Sequence, residues 1–493
     1  MSRAALACAL CVAMAPLQAQ QADAATTLDA VRVTGKPVPL SRFPGAVDVV
    51  DGAALRDGQR QVSLAEALAR VPGITVVDRQ NFAQDLQLQS RGFGARSSFG
   101  IRGIRLVVDG VPASALDGQG QAASFPLGLL DRIEVLRGPL ALQYGNASGG
   151  AVVGHGDPGD ADAAEFDAWI GSHRSRRVQG DLAGGSDALR WRVLGSRFAT
   201  DGERAHAGAS RTQVAGIAQW TGEAGDRLRL AINSLWQPET DDPLGLTPEQ
   251  WRSDPRGTAS QAIAFDTRKR IANHQLGLRW ERGYAPGREA WLGGHGVQRD
   301  VRQFLAIPAA AQRAPTHAGG VIALARGETG VEAGHRWSTD AASLAVGLQS
   351  GRLEEHRRGF ENFDGDRLGV QGRLRRDERN RVRSVEAFAV GQWQPAPHWN
   401  VLAGVRGARW RMASRDGYIA AGNPDDSGAL AFRQAAWSLG TAYAFWSGEA
   451  FASIGSGYEL PTINELAYRP DGDSGFNMAL RPSRTQSVEA GAR

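Results

Sequence analysis

Glycines and arginines crowd one stretch, Arg91 to Pro112, which reads RGFGARSSFGIRGIRLVVDGVP. Glycine-rich turns beside cations often cradle phosphates, so nucleotide binding is the first chemistry to weigh. The dinucleotide fingerprint fails here. Gly92 and Gly94 are followed by Ser97 where a third glycine is needed, and a strand rather than a helix comes next. There is no Walker lysine, because Lys36 and Lys269 are the only lysines in the chain. The nine histidines are scattered, with no pair at i, i+3 or i, i+4, so the usual transition-metal spacing is missing. Ser148, in the run NASGG, lacks the strand–turn–helix frame of a nucleophile elbow. These residues point to no enzyme, no metal and no cofactor. The other 54 of 56 basic residues are arginines. That is a compositional bias, and no nucleic-acid partner is expected from it.

The elements that carry the stretch form a small α+β unit. Ser63-Leu64-Ala65-Glu66 is a capping box, in which serine and glutamate satisfy each other's backbone donors. The helix it opens carries Leu64, Leu68 and Val71 on one side and stops at Pro72. Short strands follow: ITVVD, then IRLVVD with Asp109-Gly110 as its turn, then RIEVLR.

The rest of the chain is built differently. All 13 tryptophans lie at Trp169 or later. From about residue 165, apolar and polar residues alternate with period two. In RLRLAINSLW, Leu228, Leu230, Ile232 and Trp236 oppose Arg227, Arg229, Ala231 and Asn233. In HQLGLRWE, Leu276, Leu278 and Trp280 oppose Gln275, Arg279 and Glu281. Strands with one wet and one greasy face build a sandwich, or a barrel that turns the greasy face to lipid. Roughly 14 such strands are legible at the spacing barrels use. Aromatics near strand ends, at Trp236, Trp280, Trp393, Trp410 and Trp446, suit an interfacial girdle. Tight turns such as GGSDA alternate with long polar excursions such as 237–273. That asymmetry favours the outer-membrane barrel. The mean hydropathy of −0.31 does not contradict it, since alternation averages out.

The N-terminus reads as an export signal. Arg3 supplies the positive start and Ala4 to Ala15 the apolar core, with cleavage after Ala19 or Ala24. Both cysteines, Cys8 and Cys11, would leave with it. Next, Leu28-Asp29-Ala30-Val31-Arg32-Val33-Thr34 alternates like a strand and precedes a proline-rich linker. Such a segment suits β-augmentation of a partner's sheet edge, or the first strand of the domain that follows.

Taken together, VPGITV, RGFGARSSFGIRGIRLVVDGVP and RIEVLRGPLALQYGNASGGAVV, followed by the alternating region, resemble a TonB-dependent outer-membrane receptor. YELPTINEL and LRPS near the end are similar to that family's barrel signature. The resemblance implies an α+β plug domain followed by an antiparallel transmembrane β-barrel. It divides the chain into a signal peptide (1–24), a TonB box and linker (25–40), a plug (41–155) and a barrel (160–493). Family barrels have about 22 strands. The barrel here is therefore expected to be truncated at its C-terminal side.

The resemblance also implies partners and sites. Leu28, Asp29, Ala30, Val31, Arg32, Val33 and Thr34 would pair with TonB, powered by ExbB and ExbD. The barrel would sit in outer-membrane lipid after insertion by the barrel-assembly machinery. Plug apices carrying Arg79, Gln80, Asn81, Arg96, Ser97, Asp117 and Gln119 would face a small anionic ligand. Arg132, Glu134 and Arg137 would bridge plug and barrel wall. DRQNFAQDLQL, DDPLGLTPEQW and PTINELAYRPDGDSG are similar to the YncD/PqqU branch, which implies pyrroloquinoline quinone as cargo. A ferric siderophore is the alternative, because arginines suit either anion. A non-transporting structural barrel and a non-functional fragment are further readings.

Overall fold

The computed structural model describes residues 43–97, 100–469 and 475–493. The export signal and the segment Leu28 to Thr34 lie outside the described residues.

The small domain is held by a five-stranded sheet. Its order is Val47–Asp51, Leu130–Leu136, Gly150–Gly156, Ile104–Val108, Val111–Pro112. Ile104–Val108 and Gly150–Gly156 run parallel, and the other pairs are antiparallel. Asp109 and Gly110 both take positive φ, as a type I′ hairpin turn requires. The capping box forms, and the Glu66 carboxylate accepts from the backbone N–H of Gln61, Val62 and Ser63. The helix is shorter than expected, Leu64–Leu68, yet Leu64, Leu68 and Val71 are all buried. They pack with Leu88, Leu106, Ile133 and Val152 into one apolar core. ITVV pairs with Gln87–Ser90 as a separate ribbon.

Fourteen antiparallel strands form the second sheet, in chain order from Ala163–Ile170 to Ser483–Ala492. The number agrees with the count from periodicity. Connections are two to four residues long at one end, as at 187–188, 222–225 and 446–447. At the other end they are long, as at 238–267, 305–320, 417–427 and 460–482.

Alternation decides what each face meets. Leu276, Leu278, Leu292, Leu348 and Val385 point outward and are exposed, while Asn233, Gln275, Arg299, Arg326 and Glu386 point inward and are buried. The inner face is covered by the small domain. Trp393, Trp399, Tyr443 and Trp446 stand exposed near the short turns. Trp280 shares that rim, and its indole donates to Asp226 at 2.9 Å. Trp410 does not belong with them. It faces inward, 4% exposed, against Leu353, Met412 and Tyr458. In Trp399–Asp416 the odd positions point out, and Trp410 is even. No helix among the described residues is long and apolar enough to cross a membrane.

Candidate functional site

Three loops of the small domain reach the long-loop end of the sheet. The first, 78–85, is tied down by the connection that follows Gln237. Asn81 donates to Asp242 at 2.8 Å, Gln84 donates to the other oxygen of Asp242, and Gln237 donates to the Phe82 carbonyl at 2.9 Å. Lys269 pairs with Asp85 at 3.0 Å. Burial pushes the Asp85 carboxyl up, but Lys269 and Arg299 outweigh it and hold the group below its ordinary value.

The second loop is the glycine–arginine stretch. Gly94 has φ +87°, and a Cβ there would lie 2.6 Å from the Leu88 carbonyl oxygen. Only glycine fits this turn. It presents Arg96 to Glu459 at 3.0 Å, and the same carboxylate takes Arg102 at 3.2 Å. Arg102 is buried, reaches Glu465 at 3.0 Å and donates to the Leu460 carbonyl at 2.8 Å. The stretch that resembled a phosphate cradle is a clamp between two domains. Ser97 turns inward on its own loop, donating to the Gly100 carbonyl at 2.8 Å.

The third loop, 116–121, meets the connection 460–482. Asp117 is fully buried and accepts from the backbone N–H of Ile463 at 3.3 Å and of Gln119 at 3.3 Å. Leu116 donates its N–H to Glu328 at 2.8 Å.

The anticipated contacts therefore sort by place. Arg79 and Gln80 are exposed and bond within the small domain, to Gln87 and from Arg60. Arg96 is largely solvent-facing but paired, and Asp117 is closed off. Arg132 and Glu134 do not bridge the domains. They pair with each other at 3.0 Å, with His155 3.3 Å from the same oxygen. The reason is topological: Leu130–Leu136 is an interior strand of the small sheet, flanked on both edges. Arg137 likewise holds Asp48 and the Pro72 carbonyl, within reach of the field of Glu489 from the large sheet.

The bridges are made by other residues. Besides Arg96, Arg102 and Lys269, Arg229 binds Asp109 at 2.8 Å and Arg192 binds Asp131 at 3.1 Å near the short turns. Arg91 binds Glu489 at 2.6 Å. Asn146, inside the NASGG run, accepts the Leu460 N–H at 2.7 Å. Sequence spacing carried no signal for these partners, which lie from 61 to 398 positions away.

Above the loops, on the inner face at the long-loop end, is a cavity of about 230 Å³. Arg375, Arg376, Asn380, Tyr418, Tyr468 and Phe476 line it, with Glu378, Asp416, Asp426 and Arg469. Arg376 is 2.7 Å from Glu378. His317 stands between two further lining residues, Thr316 and Ala318. Burial lowers its imidazole pKa, and the Arg375 and Arg376 cations lower it further. The sequence reading placed ligand contacts on the small domain alone and missed this wall. RRDERN was the signal within reach.

Comparison with known proteins now has a geometry to meet. Residues 39–152 match the TonB-dependent receptor plug domain, and residues 219–493 match the TonB-dependent receptor-like β-barrel. The chain is 32% identical over 197 residues to a hemin receptor of Yersinia pestis, covering 38% of this chain and 26% of the relative. It is 28% identical over 275 residues to the vitamin B12 transporter BtuB of Photobacterium profundum, covering 51% of this chain and 43% of the relative. The chain thus spans less than half the length of these curated relatives. The fold is that of the unliganded ferric citrate transporter FecA, with TM-score 0.74, 16% identity, and 92% of this chain against 68% of that one covered. The ferric yersiniabactin receptor FyuA from Yersinia pestis gives TM-score 0.70 at 16% identity, covering 91% and 70%. These relatives are receptors and transporters rather than enzymes. The small domain is thus a plug and the fourteen-stranded sheet a barrel wall, and the chain belongs to the TonB-dependent receptors of the outer membrane.

Proposed function

We propose that this receptor takes part in energy-coupled import of a small anionic ligand across the outer membrane. The carrying observation is the cavity at the long-loop end, with Arg375 and Arg376 in its wall and the pinned plug loops beneath it. Arg376 holds Glu378 and Arg375 holds the Ala314 and His317 carbonyls, so a carboxylate ligand would draw its bidentate hydrogen bonds by exchanging with these partners. Pyrroloquinoline quinone, with three carboxylates, is the candidate cargo, in keeping with the likeness to the YncD/PqqU branch. A ferric siderophore is the alternative, supported by the names of the structural relatives. Leu28 to Thr34 would add a strand to TonB, and the proton gradient harvested by ExbB and ExbD would supply the work, since the outer membrane has no nucleotide pool. Arg79, Gln80, Asn81, Arg96, Ser97, Asp117 and Gln119 stay in the proposal as residues of the plug loops. Arg96 and Asp117 act by holding the apices rather than by touching cargo.

Calorimetric titration of the detergent-solubilised protein with pyrroloquinoline quinone and with ferric siderophores tests the reading. One of them should bind, and R376A should weaken it about tenfold, the loss of one charge-assisted pair. Failure of every anionic ligand to bind would overturn it. V31P should leave binding intact and abolish uptake, because proline removes a strand donor. Normal uptake by V31P would remove the strand-addition role.

A further inference from the structure

The outward face of the barrel wall carries an arginine cluster short of counter-charge. Four consecutive strands of the sheet, Ala342–Phe360, Leu374–Ala396, Trp399–Asp416 and Gly428–Phe445, contribute to it. Arg352 stands directly opposite Arg383, and Arg383 directly opposite Arg411. Two residues nearer the short turns on its strand, Arg409 stands opposite Arg433. All five are exposed. Like charges directly opposite on one face of a sheet destabilise it. The nearest carboxylate, Glu354, is already taken by Arg352 and Arg381. Among the described residues, Arg383, Arg409, Arg411 and Arg433 form no ion pair.

Their height along the wall is defined. Trp393, Trp399 and Tyr443 mark the short-turn rim, and Arg383, Arg409 and Arg433 each lie ten residues from them on the same strands. At about 3.3 Å per residue and a tilt of about 40°, ten residues climb about 25 Å, the height of an outer-membrane barrel's apolar band. Val385, Ala387, Val405, Trp437 and Leu439 fill the interval on the outward face. The arginines therefore emerge where hydrocarbon ends, on the side of the long loops. Short turns are periplasmic in such barrels, so this is the outer leaflet.

We propose that Arg352, Arg383, Arg409, Arg411 and Arg433 form an external site for the phosphorylated headgroup of an outer-leaflet lipid. Guanidinium forks match phosphate oxygens bidentately. A headgroup with two phosphates would bridge the two rows and relieve the repulsion between opposed arginines. The site faces away from the plug and does not depend on the identity of the cargo.

The test is a titration of the protein in neutral detergent with diphosphoryl lipid A, with the same lipid stripped of phosphate, and with free pyrophosphate. Diphosphoryl lipid A should bind, about tenfold or more tighter than the stripped lipid, with the difference shrinking in high salt. The triple variant R383Q/R411Q/R433Q should lose that preference, and R383K/R411K/R433K should keep part of it, because the charges remain while the bidentate forks are lost. R288Q, at the opposite rim, should bind as the unaltered protein does. Equal binding of intact and stripped lipid by the unaltered protein overturns the proposal, whatever the variants do. Pyrophosphate binding as tightly as the lipid overturns the lipid as occupant. Unchanged affinity in a triple glutamine variant with native circular dichroism overturns the residue assignment.

Discussion

Single carboxylates hold the plug to the wall. Glu459 receives both Arg96 and Arg102, and Arg102 is buried. E459Q should destabilise the chain by about 3 kcal/mol, because it leaves a buried cation short of its partner. Denaturant unfolding in detergent measures this, and a change under about 0.5 kcal/mol would show that Glu465 alone suffices. Asp85 makes a second prediction, with a sign. Its folded pKa lies below the unfolded value of about 3.9, so its pairing with Lys269 contributes stability above that value. The contribution disappears as pH falls through the folded value. D85N should therefore be less stable than the parent at pH 7 by about 2 kcal/mol, and the gap should narrow as pH falls below the unfolded value of about 3.9. Asp131 runs the other way. Burial raises its pKa against the pull of Arg192 and Arg56, so its ionised form costs stability at neutral pH, and acidification removes that cost.

At the scale of elements, strand parity separates residues of identical type. Trp410 and Trp446 both lie near strand ends in the sequence, but one is buried in the lumen and the other is 97% exposed. W410A should cost about 3–5 kcal/mol through lost packing, and W446A under about 0.5 kcal/mol in detergent. Equal costs would mean that the register of Trp399–Asp416 is wrong. The parity was legible, because Trp399, Val401, Ala403 and Val405 already place the odd positions on the apolar face. Turn chemistry behaves alike in both domains. The Ser63–Glu66 capping box and the Asp109-Gly110 turn are local, need no distant partner, and form as their sequences prescribe. The exchange of Arg132 and Glu134 for Arg96 and Arg102 as bridges was not local. Alternation puts Arg132 and Glu134 on one face of a strand, but the neighbours of that strand decide whether the face meets the barrel.

For the molecule as a whole, the sheet has two edges among the described residues, Ala163–Ile170 and Ser483–Ala492. Backbone groups on an edge lack the second ladder that every interior strand has. Amide exchange in detergent should accordingly be fast along both edges and slow in Leu374–Ala396 and Trp399–Asp416, which are paired on both sides. Uniform protection would show that the edges are covered in solution.

The sequence by itself determined what repeats with short period. The period-two alternation sets which residues of each strand face lipid and which face the lumen, the spacing of turns sets the number of strands, and local caps and glycines shape the plug. Those features depend on neighbours a few residues away, and chain geometry alone relates them. Which inward arginine meets which plug carboxylate, why the glycine–arginine stretch clamps the wall instead of a phosphate, and that five outward arginines from four strands converge on one patch were decided only by the tertiary structure. Such contacts join positions tens to hundreds of residues apart, and their energies depend on burial and on the register between strands.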